Sequence, residues 1–272
     1  MPYTLLQISD CHLGDTPGDA LLGLNADQSL AWVLELIKAT VPHCDALICS
    51  GDLTNEGGKP ALQRFKNTLS SLHLPSPVYW LPGNHDDSEV LQLLSAPEAN
   101  ADNQPLSVPA FTLGNWHISL FDSSIPNKVP GSIGAPDLQR MQQTLQDKPA
   151  HHHMFVLHHP LLKVGSAWID PQRVDNAEHV IQLIEQNPQC KMVVSGHVHQ
   201  SFDQALSEHT LARMITTPST SVQFKPHSDD FALDSQMPGF RWFTLHDDGS
   251  FDTGVKRISS RDLGIQHNST GY

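Results

Sequence analysis

Five stretches of this 272-residue chain place metal-binding groups directly after short apolar runs. Ile8-Ser9 leads into Asp10-Cys11-His12, Cys49-Ser50 into Gly51-Asp52, and Leu81-Pro82-Gly83 into Asn84-His85. Val156-Leu157 leads into His158-His159, and Val194-Ser195-Gly196 into His197-Val198-His199. Any one of these reads equally well as a polar turn, since Asn, Asp and Gly are ordinary turn residues. Five together are not plausibly chance. In an extended backbone residues i and i+2 face the same side, so Asp10 and His12 could bind one ion together while Cys11 points away, and His197 and His199 can likewise face one side. Mixed nitrogen and oxygen donors suit Mn, Fe or Zn, whereas an all-oxygen cage would point to Mg or Ca. The candidates Asp10, His12, Asp52, Asn84, His158, His197 and His199 outnumber what one ion needs. A carboxylate can bridge two ions about 3.5 to 4 Å apart, as in many phosphoesterases. Asp52 is the expected bridge.

Strands must carry these groups. Tyr3–Ile8, Ala46–Ser50 and Val78–Leu81 read as buried strands. Between them, a helix opened by Asp27-Gln28-Ser29 carries Leu30, Val33, Leu34, Ile37 and Val41 at helical spacing. A second runs from Gly57-Gly58 to Leu72 with Leu62, Phe65 and Leu69 on one face. This β-α-β-α-β order predicts a parallel sheet with right-handed crossovers, in which ligand sites lie beyond the strands' carboxyl ends. Pro82 ends the third strand and Gly83 lets the backbone turn. Residues 95–109 are polar and Pro-rich, an expected surface excursion. A hairpin around Gly114-Asn115 starts a second sheet. Further helices are expected over 135–146 and 174–186, and strands over 154–157, 191–195, 206–216, 241–246 and 253–258. His151-His152-His153 cannot all face one ion and is expected in an exposed loop. Residues 218–239 are weakly periodic, and loops of that length are often lids or binding loops.

The length allows a sizeable core, and no linker divides the chain, so one domain over 1–272 is expected. No apolar run approaches the roughly 20 residues of a membrane span. Met1-Pro2-Tyr3-Thr4 lacks the positive region of an export signal, which predicts a cytoplasmic protein. Cys11, Cys44, Cys49 and Cys190 are scattered and expected to be reduced. A net charge of −13 argues against extended nucleic acids and anionic membranes as partners. A small anion held by metal ions remains allowed. No motif sets the oligomeric state.

The series Asp-x-His, Gly-Asp, Gly-Asn-His, His and Gly-His-x-His, spanning residues 10 to 199, resembles the calcineurin-like metallophosphoesterase superfamily. The resemblance implies a four-layer α/β/β/α sandwich and two divalent ions, Fe or Mn with Zn as the other choice. It implies Asp10, His12, Asp52 and His199 around the first ion, and Asp52, Asn84, His158 and His197 around the second. His85 would contact the phosphate and assist the leaving oxygen, with His12, Asp52, Asn84 and His199 also touching substrate. The run from Thr217 to His227, Pro238-Gly239, Trp80 to Asp86 and the final Gly271-Tyr272 resemble the bacterial 3′,5′-cyclic AMP phosphodiesterases within that superfamily. Such an enzyme would cleave cyclic AMP to 5′-AMP by in-line attack of a metal-bridging hydroxide, with residues 217–239 as a substrate-binding loop. The other reading is a metallophosphoesterase acting on a glycerophosphodiester, nucleotide or lipid-linked phosphate. Protein Ser/Thr phosphatases carry an Arg in the Gly-Asp motif that Gly51 to Gly57 lacks. Either His158 or His159 could be the ligand, the pattern favouring His158, and Lys225 and Arg241 could approach the phosphate or be ordinary paired cations.

Overall fold

The computed structural model describes residues 1–71, 77–95 and 104–271. Leu72, most of the predicted excursion (96–103) and Tyr272 lie outside the described residues. Strand β1 (Tyr3–Ile8) is followed by a small hairpin, β2 (Ala20–Leu21) and β3 (Leu24–Asn25), and then by α1 (Ala26–Thr40), β4 (Ala46–Ser50), α2 (Lys59–Ser71), β5 (Val78–Leu81) and α3 (Ser88–Leu94). The second half opens with β6 (Ala110–Leu113) and β7 (Trp116–Leu120), then α4 (Ala135–Asp147), β8 (His152–Val156), α5 (Ala177–Glu185) and β9 (Cys190–Ser195). Strands β10 (Asp203–Ala205), β11 (Arg213–Thr216), β12 (Gly239–Leu245) and β13 (Phe251–Arg257) complete it.

A five-stranded sheet has the order β13-β12-β1-β4-β5, and a six-stranded sheet the order β10-β11-β9-β8-β7-β6. Strands β1, β4 and β5 run parallel, as do β11, β9, β8 and β7. Alternate side chains divide between two cores, the expectation for strands covered on both faces. Leu47, Cys49, Val78 and Trp80 meet the helices α1, α2 and α3, whereas Ala46, Ile48, Tyr79 and Leu81 meet the other sheet. Phe155 and Val193 pack under α4 and α5, while Met154, Val156, Met192 and Val194 fill the space between the sheets. The layers are therefore α/β/β/α. The carboxyl ends of β1, β4 and β5 open toward those of β8 and β9, which brings five strand endings together.

Four expectations about the elements need correction. His151-His152-His153 is not an exposed loop: His152 and His153 open β8, paired with Trp116 and His117, and His153 is fully buried. Pairing with β7 extends the strand back to these residues. Alternation does separate them, since His152 Nε2 lies 3.2 Å from the Asp247 carbonyl and His153 Nε2 2.9 Å from that of Lys148. The strand expected over 206–216 covers only Arg213–Thr216, and the helix expected from 174 begins at Ala177. Leu106, in the described part of the excursion, is buried and bonded on both sides to β5, with Trp80 N donating to its carbonyl at 3.0 Å.

Candidate metal centre

The pairs Asp10/His12 and His197/His199 come together by a route different from the extended one expected. Asp10, His12, Asp52, His197 and His199 all have left-handed backbones, with φ of 56°, 48°, 49°, 67° and 48°. This region costs a side chain free energy and persists only where surroundings hold it. The hold comes from adjacent loops that continue pairing after their strands end. Asp10 N donates to Gly51 O at 3.0 Å, His12 N to Asp52 O at 3.0 Å and Leu13 N to Leu53 O at 3.1 Å. Asp86 ties the next loop in, accepting from Leu53 N, Thr54 N and Gly83 N at 3.1, 2.9 and 3.0 Å. A Cβ on Gly83 would collide with the Asp52 carboxylate and amide. One on Gly196 would come within 2.7 Å of Asp10 Oδ2.

The donor atoms converge. Asp10, His12 and His199 place ligand atoms within 4.8 Å of one another, as do Asp10, Asp52 and His158, and His12, Asp52 and His85. His12 Nε2 lies 3.1 Å from His199 Nε2, and His199 Nε2 3.4 Å from Asp10 Oδ1. Asp52 Oδ2 stands between two imidazoles, 3.2 Å from His158 Nε2 and 3.8 Å from His12 Nε2. Its Oδ1 accepts from His85 N at 2.9 Å. Asn84 Oδ1 and His197 Nε2 are buried without a hydrogen-bond partner among the described residues.

The groups behind these atoms fix which nitrogen faces inward. His199 Nδ1–H donates to Val222 O at 2.8 Å, and His158 Nδ1–H to Ser50 O at 2.9 Å. A carbonyl on Nδ1 leaves the lone pair on Nε2, the tautomer that metal-binding histidines use. Phe224 stacks on His199 with centroids 4.0 Å apart, and Ser219 Oγ donates to Asp10 O at 2.7 Å. The first part of the long 217–239 segment is therefore buried beneath the ligands.

The electrostatics of the cluster suit a cation. Burial pushes His12 and His197 well below the usual imidazole range, leaving neutral rings. Burial opposes charge on Asp52 too, but the neighbouring His158 holds it well below the ordinary carboxylate value. Burial likewise opposes charge on His158, yet the Asp52 carboxylate raises it to about 9. Inward lone pairs facing carboxylates fit divalent ions.

Residues 3–201 match the family model described as calcineurin-like phosphoesterase. The chain belongs to that family. Among its relatives are proteins named 3′,5′-cyclic adenosine monophosphate phosphodiesterase CpdA. That of Pseudomonas aeruginosa is 33% identical over 268 residues, covering 98% of this chain and 94% of that one. That of Vibrio vulnificus is 36% identical over 269 residues, with the same two shares. A purple acid phosphatase from yellow lupin matches with a TM-score of 0.67 at 11% identity, over 97% of this chain and 52% of that one. At that identity the likeness shows the fold alone.

In this calcineurin-like phosphoesterase His158, His159 and His197 bring ligand atoms within 4.8 Å of one another, but the two neighbouring histidines differ in their surroundings. Both His159 nitrogens are engaged, Nδ1 with Ser123 Oγ and Nε2 with Val129 O, each at 2.8 Å. His159 packs on His158 and His197 instead, at centroid distances of 4.9 and 4.7 Å. Arg241 does not reach the centre: it is buried, its Nε donating to Thr216 O at 2.9 Å across the two sheets. Lys225 is exposed. The contributions of Ser123, Ser219 and Val222 were not foreseen. The one signal was the run of small polar residues from Thr217 to Ser221, unusual in a segment that proves buried. No helix among the described residues is long and apolar enough to cross a membrane.

Proposed function

We propose that the chain is a two-metal phosphodiesterase that hydrolyses 3′,5′-cyclic AMP to 5′-AMP. Asp10, His12, Asp52 and His199 would hold one divalent ion, and Asp52, Asn84, His158 and His197 the other. The observation that carries this is Asp52 Oδ2, 3.2 Å from His158 Nε2 and 3.8 Å from His12 Nε2, where one oxygen can serve two ions. Two such ions, Fe or Mn by donor type, would supply charge neutralisation and an activated water for in-line attack on phosphorus. The protein's own groups do the rest. His85 Nδ1–H donates to Asn55 O at 2.8 Å, which fixes its ring beside the centre. Its other nitrogen, when protonated, gives a proton to the departing 3′-oxygen as general acid. His12, Asp52, Asn84 and His199 border the phosphate position. The preorganised loops keep these groups in place before substrate arrives, which is where a diesterase gains most.

Cyclic AMP is favoured by relatives of that name at 33% and 36% identity over 98% of the chain. We read residues 1–272 as one domain in which 217–239 belongs to the site, its first part holding Asp10 and His199 from beneath. A cytoplasmic location is supported by four free, buried cysteines. The test is kcat/KM on Mn-loaded enzyme for cyclic AMP beside cyclic GMP, 2′,3′-cyclic AMP and a glycerophosphodiester, with Asn84→Ala as the blank. Preference for cyclic AMP with release of 5′-AMP supports the reading. Turnover of other diesters with little of cyclic AMP refutes the substrate.

A further inference from the structure

A cavity of about 430 Å³ adjoins the centre, with Asn84 and His85 in its lining. The opposite wall is the turn Ser124, Ile125, Pro126 and Asn127. That wall is built, not loose. Lys128 N closes the turn on Ile125 O at 3.0 Å, and Ser132 N donates to Ser123 O at 2.9 Å. His159 grips both ends through Ser123 Oγ and Val129 O while packing against His158 and His197. The same imidazole thus sets the wall and supports two ligand rings.

The groove has one sign of charge. Glu56, Asp87 and Glu89 line it, exposed, and no Lys or Arg does; Lys128, the nearest cation in sequence, is not part of the lining. A second cavity of about 360 Å³, beside His12, is lined by Asp15, Asp19 and Glu56, again without a cation. A bound metal pair would neutralise one phosphate, but a second phosphate in either groove would meet several carboxylates and no Lys or Arg. An uncharged group meets no such barrier, and Ile125 and Pro126 offer it apolar contact. His85 lines the larger groove and not the other, so a leaving oxygen presented to His85 carries its organic group there.

Building on the proposed reaction, we infer that the groove between Glu89 and Ile125 receives the uncharged nucleoside of the substrate and excludes a second phosphate, restricting the enzyme to diesters that carry one.

The test measures inhibition of bis(p-nitrophenyl) phosphate hydrolysis by Mn-loaded enzyme, comparing 5′-AMP with adenosine 3′,5′-bisphosphate, whose extra phosphate sits on the leaving oxygen. Wild type is expected to bind 5′-AMP at least about tenfold more tightly at low salt, the gap shrinking as salt screens the carboxylates. Glu89→Lys and Ile125→Lys should each narrow the gap to within about threefold, while Thr16→Lys, in the cavity beside His12, leaves it unchanged. Equal inhibition by both nucleotides, inhibition by neither, or narrowing only by Thr16→Lys overturns the proposal. Hydrolysis of the reporter without hydrolysis of cyclic AMP would instead refute the proposed substrate, and the inhibition comparison would still report on the groove.

Discussion

His158 Nε2 faces Asp52 Oδ2 at 3.2 Å while its Nδ1–H is spent on the Ser50 carbonyl at 2.9 Å. Without a metal ion the contact is attractive only with a proton on Nε2, which is why the carboxylate lifts this buried imidazole to about 9. On the proposed ligand set a metal ion would take the place of that proton. Loading at pH 7 is therefore expected to release a proton from His158, and affinity should weaken by up to about tenfold per pH unit as pH falls below 9. Calorimetric titration with Mn in two buffers of different ionisation enthalpy measures the release. Identical heats in both would contradict it.

His85 touches the centre through Asp52 but holds its ring by Asn55. His85→Ala should lower kcat for cyclic AMP by about 10² to 10⁴ with metal content unchanged. Normal turnover by fully loaded His85→Ala would remove the general-acid role.

Gly83→Ala puts a methyl group into the Asp52 carboxylate and amide. If Asp52 serves both ions as proposed, shifting it weakens both at once, so metal affinity is expected to fall about 10- to 100-fold, read by metal analysis after dialysis. Full metal content with full activity would show that the loop relaxes without disturbing Asp52.

His117 lies far from this chemistry in sequence and carries a pH signature. Burial, with His153, Lys148 and His151 nearby, lowers it to about 4. The unfolded chain takes up a proton below about pH 6.5 that the folded chain refuses until about pH 4. Stability should therefore fall as pH drops through that window and stop falling on this account below it. Urea midpoints between pH 7 and 4 should drop less steeply in His117→Phe than in wild type. Parallel slopes would show that His117 titrates normally.

The candidate donors that the fold brings together were legible because apolar runs and the Asp, Asn and His that follow them are both written locally. The left-handed backbones of Asp10, His12, His197 and His199 were not. Those of Asp10 and His12 follow from a loop zipped to Gly51 and Asp52, some 40 residues away, and the loop of His197 is tied to the His158 carbonyl and the Asp10 carboxylate. Burial of His153 was hidden for a similar reason, since pairing of β7 with β8 overrides what three consecutive histidines suggest. Ser123, Ser219 and the Val222 carbonyl act through distant contacts with His159, Asp10 and His199. Backbone carbonyls leave no mark on sequence at all.

The central claim is a pair of ions sharing Asp52. The most direct measurement is activity on cyclic AMP as metal-free protein is titrated with Mn, with 5′-AMP quantified at each point. The account predicts that activity rises until two equivalents per chain and then stays level, and that Asp52→Asn abolishes the rise. Full activity at one equivalent, or without metal, would contradict it.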